Sequence, residues 1–154
     1  MPLLLLRHVD AGERGDYTGD DRRRPVSERG SRQAAALIDA YAGLPVERVL
    51  SSPYTRCVDS VSPLAAARGL DVEEEEALAE GTPLDVVHGL LRRLEGRDVV
   101  LCSHGDVIGA LVQDLQVRGV DVDGAGGPRW QKGSTWVLEG DLRTPAVRYL
   151  PPPA

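Results

Sequence analysis

Leu3-Leu4-Leu5-Leu6, followed at once by Arg7-His8-Val9-Asp10-Ala11-Gly12, is the stretch on which the fold turns. Four successive leucines without polar alternation read as a strand buried on both faces, the pattern of a parallel sheet covered by helices. Shorter runs at Arg48–Ser51 and Asp98–Cys102 repeat that pattern. Val72–Glu76 reads as an edge strand, because its four successive glutamates must stay solvated. Helical periodicity fills the intervals. Ser27 to Tyr41 places Ala34, Leu37, Ile38 and Tyr41 on one face, with Ser27 as N-cap. A second helix is expected from near Pro53, kinked or ended by Pro63. A third runs to Leu94 with Thr82 as its N-cap, and a fourth from Asp106 to Arg118. Gly119–Gly133 is a loop, and Ser134–Glu139 and Ala146–Leu150 are strands joined by a turn at Gly140–Asp141. Strand–helix alternation of this kind predicts an α/β fold: a three-layer α/β/α sandwich around a mostly parallel central sheet. Residues 1–150 are expected to form a single domain, with 151–154 a Pro-rich tail.

Composition narrows the function classes. The 154 residues suit one domain that buries roughly 70% of its unfolded surface. With 18 Lys+Arg against 24 Asp+Glu, the net charge of −6 disfavours nucleic acid or an anionic membrane as partner. No apolar run approaches the roughly 20 residues needed to span a bilayer. Pro2–Leu6 lacks the basic lead-in of a signal peptide, so a cytoplasmic protein with reduced thiols is expected. Two cysteines, Cys57 and Cys102, cannot build a disulfide framework and read as packing residues. The chain has no Phe, which leaves the core to Leu, Val and Ala.

In open parallel sheets, ligands bind beyond the carboxyl ends of the strands. Three such ends carry Arg7-His8, Ser51-Ser52-Pro53-Tyr54-Thr55-Arg56 and Ser103-His104-Gly105-Asp106. Two of the chain's three histidines and two arginines would therefore gather at one edge of an acidic protein. Helix N-termini near Pro53 and Gly105 add backbone N–H groups and positive dipole ends. Such a pocket suits an oxyanion of about two negative charges, phosphate above all.

These three segments resemble the signatures of the histidine phosphatase superfamily, also called phosphoglycerate-mutase-like, and the likeness extends over essentially the whole chain. The short length resembles its small branch, which includes bacterial phosphohistidine phosphatases. Gly19-Asp20-Asp21 before Arg24-Pro25, and Lys132-Gly133-Ser134-Thr135-Trp136-Val137-Leu138, are similar to the C-terminal phosphatase domain of actinobacterial MutT-type Nudix hydrolases. The resemblance implies the histidine phosphatase fold and a phosphatase that needs no metal or other cofactor. It implies His8 as a nucleophile that forms a phosphohistidine, with Arg7, Arg56 and His104 on the phosphoryl oxygens. Glu80 occupies the region of the family's acidic residue and is the candidate general acid. Phosphoryl transfer asks mainly for positioning and for stabilisation of three equatorial oxygens, which arginine forks supply. Val9 departs from the pattern by replacing a small residue, which could narrow the pocket.

Around this centre, Ser51, Arg22 and Lys132 are candidate substrate-binding residues. Arg22-Arg23-Arg24 either contacts a second phosphate or forms a salt-bridged loop with Asp20-Asp21, and both remain open. His88 lies mid-helix without motif support and reads as packing. Three histidines, only two of them placed together, argue against a zinc site. The expected partner is a phosphorylated small molecule or a protein carrying phosphohistidine. The competing function is a catalytically silent phospholigand-binding or regulatory module. Oligomeric state is not legible.

Overall fold

β1 (Leu3–Arg7) sits in the middle of a six-stranded sheet. The computed structural model describes residues 2–153; Met1 and Ala154, the last residue of the expected tail, lie outside them. Along the chain follow α1 (Glu28–Ala40), β2 (Arg48–Ser51), α2 (Thr55–Ala67), β3 (Val72–Glu74) and α3 (Leu84–Leu94). β4 (Val99–Ser103), α4 (Gly105–Val117), β5 (Thr135–Glu139) and β6 (Ala146–Leu150) complete the fold. In the strand order β3-β2-β4-β1-β5-β6 the first four are mutually parallel, β5 runs antiparallel to β1, and β6 antiparallel to β5. The expected three-layer sandwich with a mostly parallel sheet is therefore the observed one.

Side chains alternate across a strand, so the leucine run feeds two cores at once. Leu3 and Leu5, with Val99 and Leu101, pack against Leu90 and Leu94 of α3 and Ile108 and Leu111 of α4. Leu4 and Leu6, with Val100 and Cys102, pack against Ala34 and Leu37 of α1 and Val61 and Leu64 of α2. Without phenylalanine, Trp136 and Tyr41 are the bulkiest apolar side chains buried in full. Each has its polar atom satisfied: Trp136 Nε1 donates to the Arg129 carbonyl at 2.8 Å, and the Tyr41 hydroxyl lies 2.6 Å from Thr135 Oγ1. β3 is the solvated edge, where Glu73 pairs with Arg48 on the neighbouring strand at 2.8 Å.

Two local expectations are corrected, for physical reasons. Of the two outcomes expected at Pro63, a kink or an end, the end does not occur, and α2 continues to Ala67. Val61, Leu64 and Ala65 are buried on both sides of it. Their burial, at about 1.5–3 kcal/mol for each large side chain, exceeds the roughly 3 kcal/mol that an internal proline costs. Nor does Thr82 cap α3, which begins at Leu84 behind Pro83. Thr82 sits one residue early, and its hydroxyl donates instead to the Ala79 carbonyl at 2.7 Å. Ser27 does cap α1, accepting the Gly30 N–H at 3.0 Å. Among the described residues, no helix is long and apolar enough to cross a membrane.

Candidate active site

Strand register creates the site. Arg7 of β1 stands opposite Ser103 of β4, and Ser51 of β2 opposite Cys102. Three strands stopping at one level release His8, Ser52 and His104 side by side. Backbone bonds pin them there: His8 N–H donates to the Ser103 carbonyl at 3.0 Å, and Ser52 N–H to the Cys102 carbonyl at 2.9 Å. The His8 and His104 rings meet edge to face, with centroids 5.5 Å apart. His104 is the N-cap residue of α4, so the open N–H groups of that helix begin at the same point. Arg56 reaches in from the first turn of α2, and Arg7 from the end of β1.

His8 is 4% exposed, and its Nδ1 lies 2.8 Å from the Val9 carbonyl. A carbonyl only accepts, so Nδ1 carries the proton and Nε2 keeps its lone pair. Burial above all, then the positive surroundings of His104, Arg56 and Arg7, push the His8 imidazole down to about 3, against the rise from its Val9 bond. The ring is thus neutral far below the pH at which an ordinary histidine takes a proton. This has a consequence for folding. Unfolded, His8 titrates near 6.5, so below that pH the unfolded chain binds a proton that the folded chain refuses. Its contribution to stability is fully present above about pH 6.5 and is lost as the pH falls toward 3. Urea midpoints at pH 7 and pH 5 should therefore drop more in the wild type than in His8→Ala; equal drops would contradict the buried neutral ring.

The cleft around these groups measures about 540 Å³. It is lined by five permanent cations, Arg7, Arg14, Arg24, Arg56 and Lys132, against three carboxylates, Glu13, Glu80 and Asp106. In a chain of net charge −6, that local excess of positive charge favours an anion. Arg7, Arg56 and His104 all line the cleft, and Arg7 Nε, Arg56 Nε and His104 Nδ1 have no hydrogen-bond partner among the described residues. An unsatisfied buried polar nitrogen costs about 1–3 kcal/mol, a cost the fold carries at this site. No cluster of three or more His, Cys, Asp or Glu placed to hold a metal ion occurs among the described residues.

A sequence model of the histidine phosphatase superfamily (branch 1) matches residues 3–82. The chain belongs to that superfamily. It is 32% identical to an 8-oxo-(d)GTP phosphatase of Mycolicibacterium smegmatis over 98% of this chain and 48% of that protein. The chain thus spans about half the length of that relative. It is 26% identical to a phosphohistidine phosphatase SixA homolog of Haemophilus influenzae over 75% of this chain and 77% of that one. A solved structure of the protein histidine phosphatase SixA with tungstate superposes with a TM-score of 0.78 at 22% identity. The match covers 96% of this chain and 94% of that one.

Within this superfamily fold, His8, Arg7, Arg56, His104 and Glu80 all line one cleft, as does Lys132, whose Nζ lies 3.4 Å from the Gly12 carbonyl. Glu80 is held by Arg14 at 2.6 Å and by Arg56 at 3.4 Å. Two expected substrate-binding residues are placed elsewhere. Ser51 is fully buried and donates its hydroxyl to the Ser52 carbonyl at 2.8 Å, because the last strand position points inward. Ser52 takes the place beside the site, its Oγ 2.8 Å from His104 Nε2 and accepting the Tyr54 N–H at 3.3 Å. Arg22 lies outside the cleft lining, over the Tyr54 ring at 4.6 Å and paired with Glu76 at 3.4 Å. Arg24 turns inward instead. It donates to the Ala11 and Gly12 carbonyls and pairs with Asp21, clamping the loop that follows His8. Val9 does not narrow the cleft: its side chain joins the α1–α2 core, while its N–H donates to Ser60 Oγ at 3.0 Å. Both cysteines are buried and free, and Cys57 Sγ packs 3.6 Å from His104 Nε2. His88 pairs with Asp114 at 3.0 Å, away from the site.

Sequence reasoning missed Arg14, Asp106, Gln113 and Trp130, all of which line the cleft. Asp106 carried a weak signal, following His104-Gly105, and its carboxylate accepts the Gly81 N–H at 2.8 Å. Gly105 is where a close approach matters. A Cβ there would stand 2.8 Å from the Arg7 guanidinium carbon, so only glycine lets Arg7 lie against the start of α4.

Proposed function

We propose that this superfamily member is a phosphatase that works through a covalent phosphohistidine on His8. The reading is carried by a buried imidazole held neutral with Nε2 free, in a cleft that Arg7, Arg56 and His104 line with it. Superfamily membership supports it, as do the phosphatase names of both relatives. In the first step, the Nε2 lone pair attacks phosphorus and the bond to the leaving oxygen breaks, its electrons staying on that oxygen. Glu80, a carboxylate while Arg14 and Arg56 hold it, takes a proton from the entering phosphate monoanion and passes it to that oxygen. In the second step, water attacks the phosphohistidine, Glu80 takes back a proton, and the P–N bond breaks to restore neutral His8. The two arginines and His104 hold the equatorial oxygens throughout, which is most of what phosphoryl transfer requires. No step uses a metal.

The partner on this reading is a phosphorylated small molecule or a phosphohistidine protein, and Glu80 separates the two. An alkoxide or phosphate leaving group needs a proton, whereas an imidazole leaves with less help. Glu80→Gln should slow the phosphorylation of His8, followed in a single-turnover quench, by about 10²–10⁴ for an ester or anhydride and by little for a phosphohistidine carrier protein. A large loss in that first step on phosphohistidine would remove Glu80 from its role as the acid. The rival reading is a module that binds phosphorylated ligands without turnover. Phosphate release from p-nitrophenyl phosphate in EDTA, abolished in His8→Ala, is the expected result; binding without release would favour the module, and loss of release in EDTA a metal-dependent hydrolase.

A further inference from the structure

Beyond the phosphoryl position, the cleft continues along α4. Asp106, Gly109, Ala110 and Gln113 all line it, at the i, i+3, i+4 and i+7 spacing that makes one stripe of a helix. Trp130 lines it with them. Its indole lies so close to Gly109 that a Cβ there would stand 2.7 Å from the ring, so the absence of a side chain at Gly109 is what seats it. The loop carrying the indole is anchored twice. Arg7 Nη1 donates to the Trp130 carbonyl at 3.0 Å, and Trp136 Nε1 to the Arg129 carbonyl at 2.8 Å. Unlike Trp136, which is buried in full, Trp130 is only partly covered. The guanidinium whose Nε is left without a partner is thus the same one that positions an aromatic wall beside it.

We propose that Trp130 and the α4 stripe form a subsite for a nucleobase on the leaving group, so that the substrate class is a nucleoside phosphate. The inference rests on the phosphatase reading of His8. Distance decides for a nucleobase over the imidazole of a phosphohistidine. Gly109 lies four residues beyond Gly105, about 6 Å along the helix axis. An imidazole leaving group is bonded directly to phosphorus and does not extend that far, whereas a ribose sets a base well away from its phosphate. The indole itself fills the space over Gly109, and the small side chain of Ala110 beside it leaves room for a flat ring against the indole. Gln113, exposed at the far end of the stripe, offers both a donor and an acceptor to a base edge. Stacking of a base on an aromatic side chain tolerates any base, so the subsite selects a ring rather than one nucleotide.

The test compares GMP and GDP with ribose 5-phosphate, which has the same 5′-phosphate and no base. In His8→Ala protein, GMP or GDP should quench tryptophan fluorescence and ribose 5-phosphate should not, and Trp130→Phe in the same background should remove the quench. In otherwise wild-type protein, Trp130→Ala should lower kcat/KM for the nucleotide relative to ribose 5-phosphate by about 5- to 150-fold, and Trp130→Phe should restore most of the ratio. Absence of any quench, or an equal loss on both kinds of substrate, would overturn the subsite; the latter would leave Trp130 as a support for Arg7 only. If His8→Ala keeps its turnover while the quench persists, the His8 mechanism falls and the subsite stands.

Discussion

His8→Ala is expected to lose phosphatase turnover by on the order of 10⁴-fold or more, the scale seen when the nucleophile of a covalent mechanism is removed. Two features of the ring make the loss this large. Nδ1 is committed to the Val9 carbonyl, so Nε2 is the nitrogen that keeps its lone pair, and the proposed attack needs no conformational search. Burial and the neighbouring cations keep the ring unprotonated, so nearly every molecule is poised to attack at neutral pH. Alanine removes both and leaves only Arg7, Arg56 and His104 lining the cleft. Rapid quenching of wild type with a ³²P-labelled substrate should trap label that survives alkali and is lost in acid, as a phosphoramidate is. His8→Ala should trap none while keeping its fold by circular dichroism. Retained turnover, or label that survives acid, would move the covalent chemistry off His8.

Why His8 was legible and Trp130 was not follows from how each reaches the cleft. His8, Arg7, His104 and Arg56 sit immediately beyond strand ends or in the first turn of a helix. There the period of a strand fixes position, and the parallel sheet brings the ends together. The doubly buried leucine run made that sheet readable before any contact was known. Ser51 and Ser52 show the limit of such reading. Neighbouring residues at a strand end point to opposite sides, and the sequence does not say where the strand stops. Arg22 and Arg24 fail to share a direction for a related reason: a 3-10 turn at Asp21–Arg23, capped by Asp20, rotates each side chain away from the last. Trp130 depends on an Arg7 bond spanning 123 residues and on the missing side chain of Gly109, neither of which leaves a periodic trace. Pro63 and Thr82 misled for the opposite reason, because local rules met a buried apolar face or an earlier turn that outweighed them.

Arg56→Ala should reduce kcat by about 10²–10³, the cost of deleting one donor aimed at charge that develops in the transition state. It should also destabilise the fold. Arg56 is 1% exposed, and its terminal nitrogens are bound to the Asp21 carbonyl at 2.8 Å, the Asp21 carboxylate at 3.2 Å and the Glu80 carboxylate at 3.4 Å. Breaking a fully buried pair costs about 3–5 kcal/mol. Here the carboxylates of Asp21 and Glu80 are 34% and 30% exposed, and other cations remain beside each, so roughly 1–3 kcal/mol is expected. On the proposed mechanism the two effects are separable: the terminal nitrogens hold the loop, whereas catalysis asks for the planar guanidinium at the cleft wall. Arg56→Lys keeps a positive charge near the carboxylates but gives up the planar fork, so it should recover much of the stability and little of kcat. Urea unfolding and steady-state kinetics on both variants decide the matter. If Arg56→Lys restores kcat along with stability, the guanidinium is a strut for the Asp21 loop, and the phosphoryl oxygens are held by Arg7 and His104 without it.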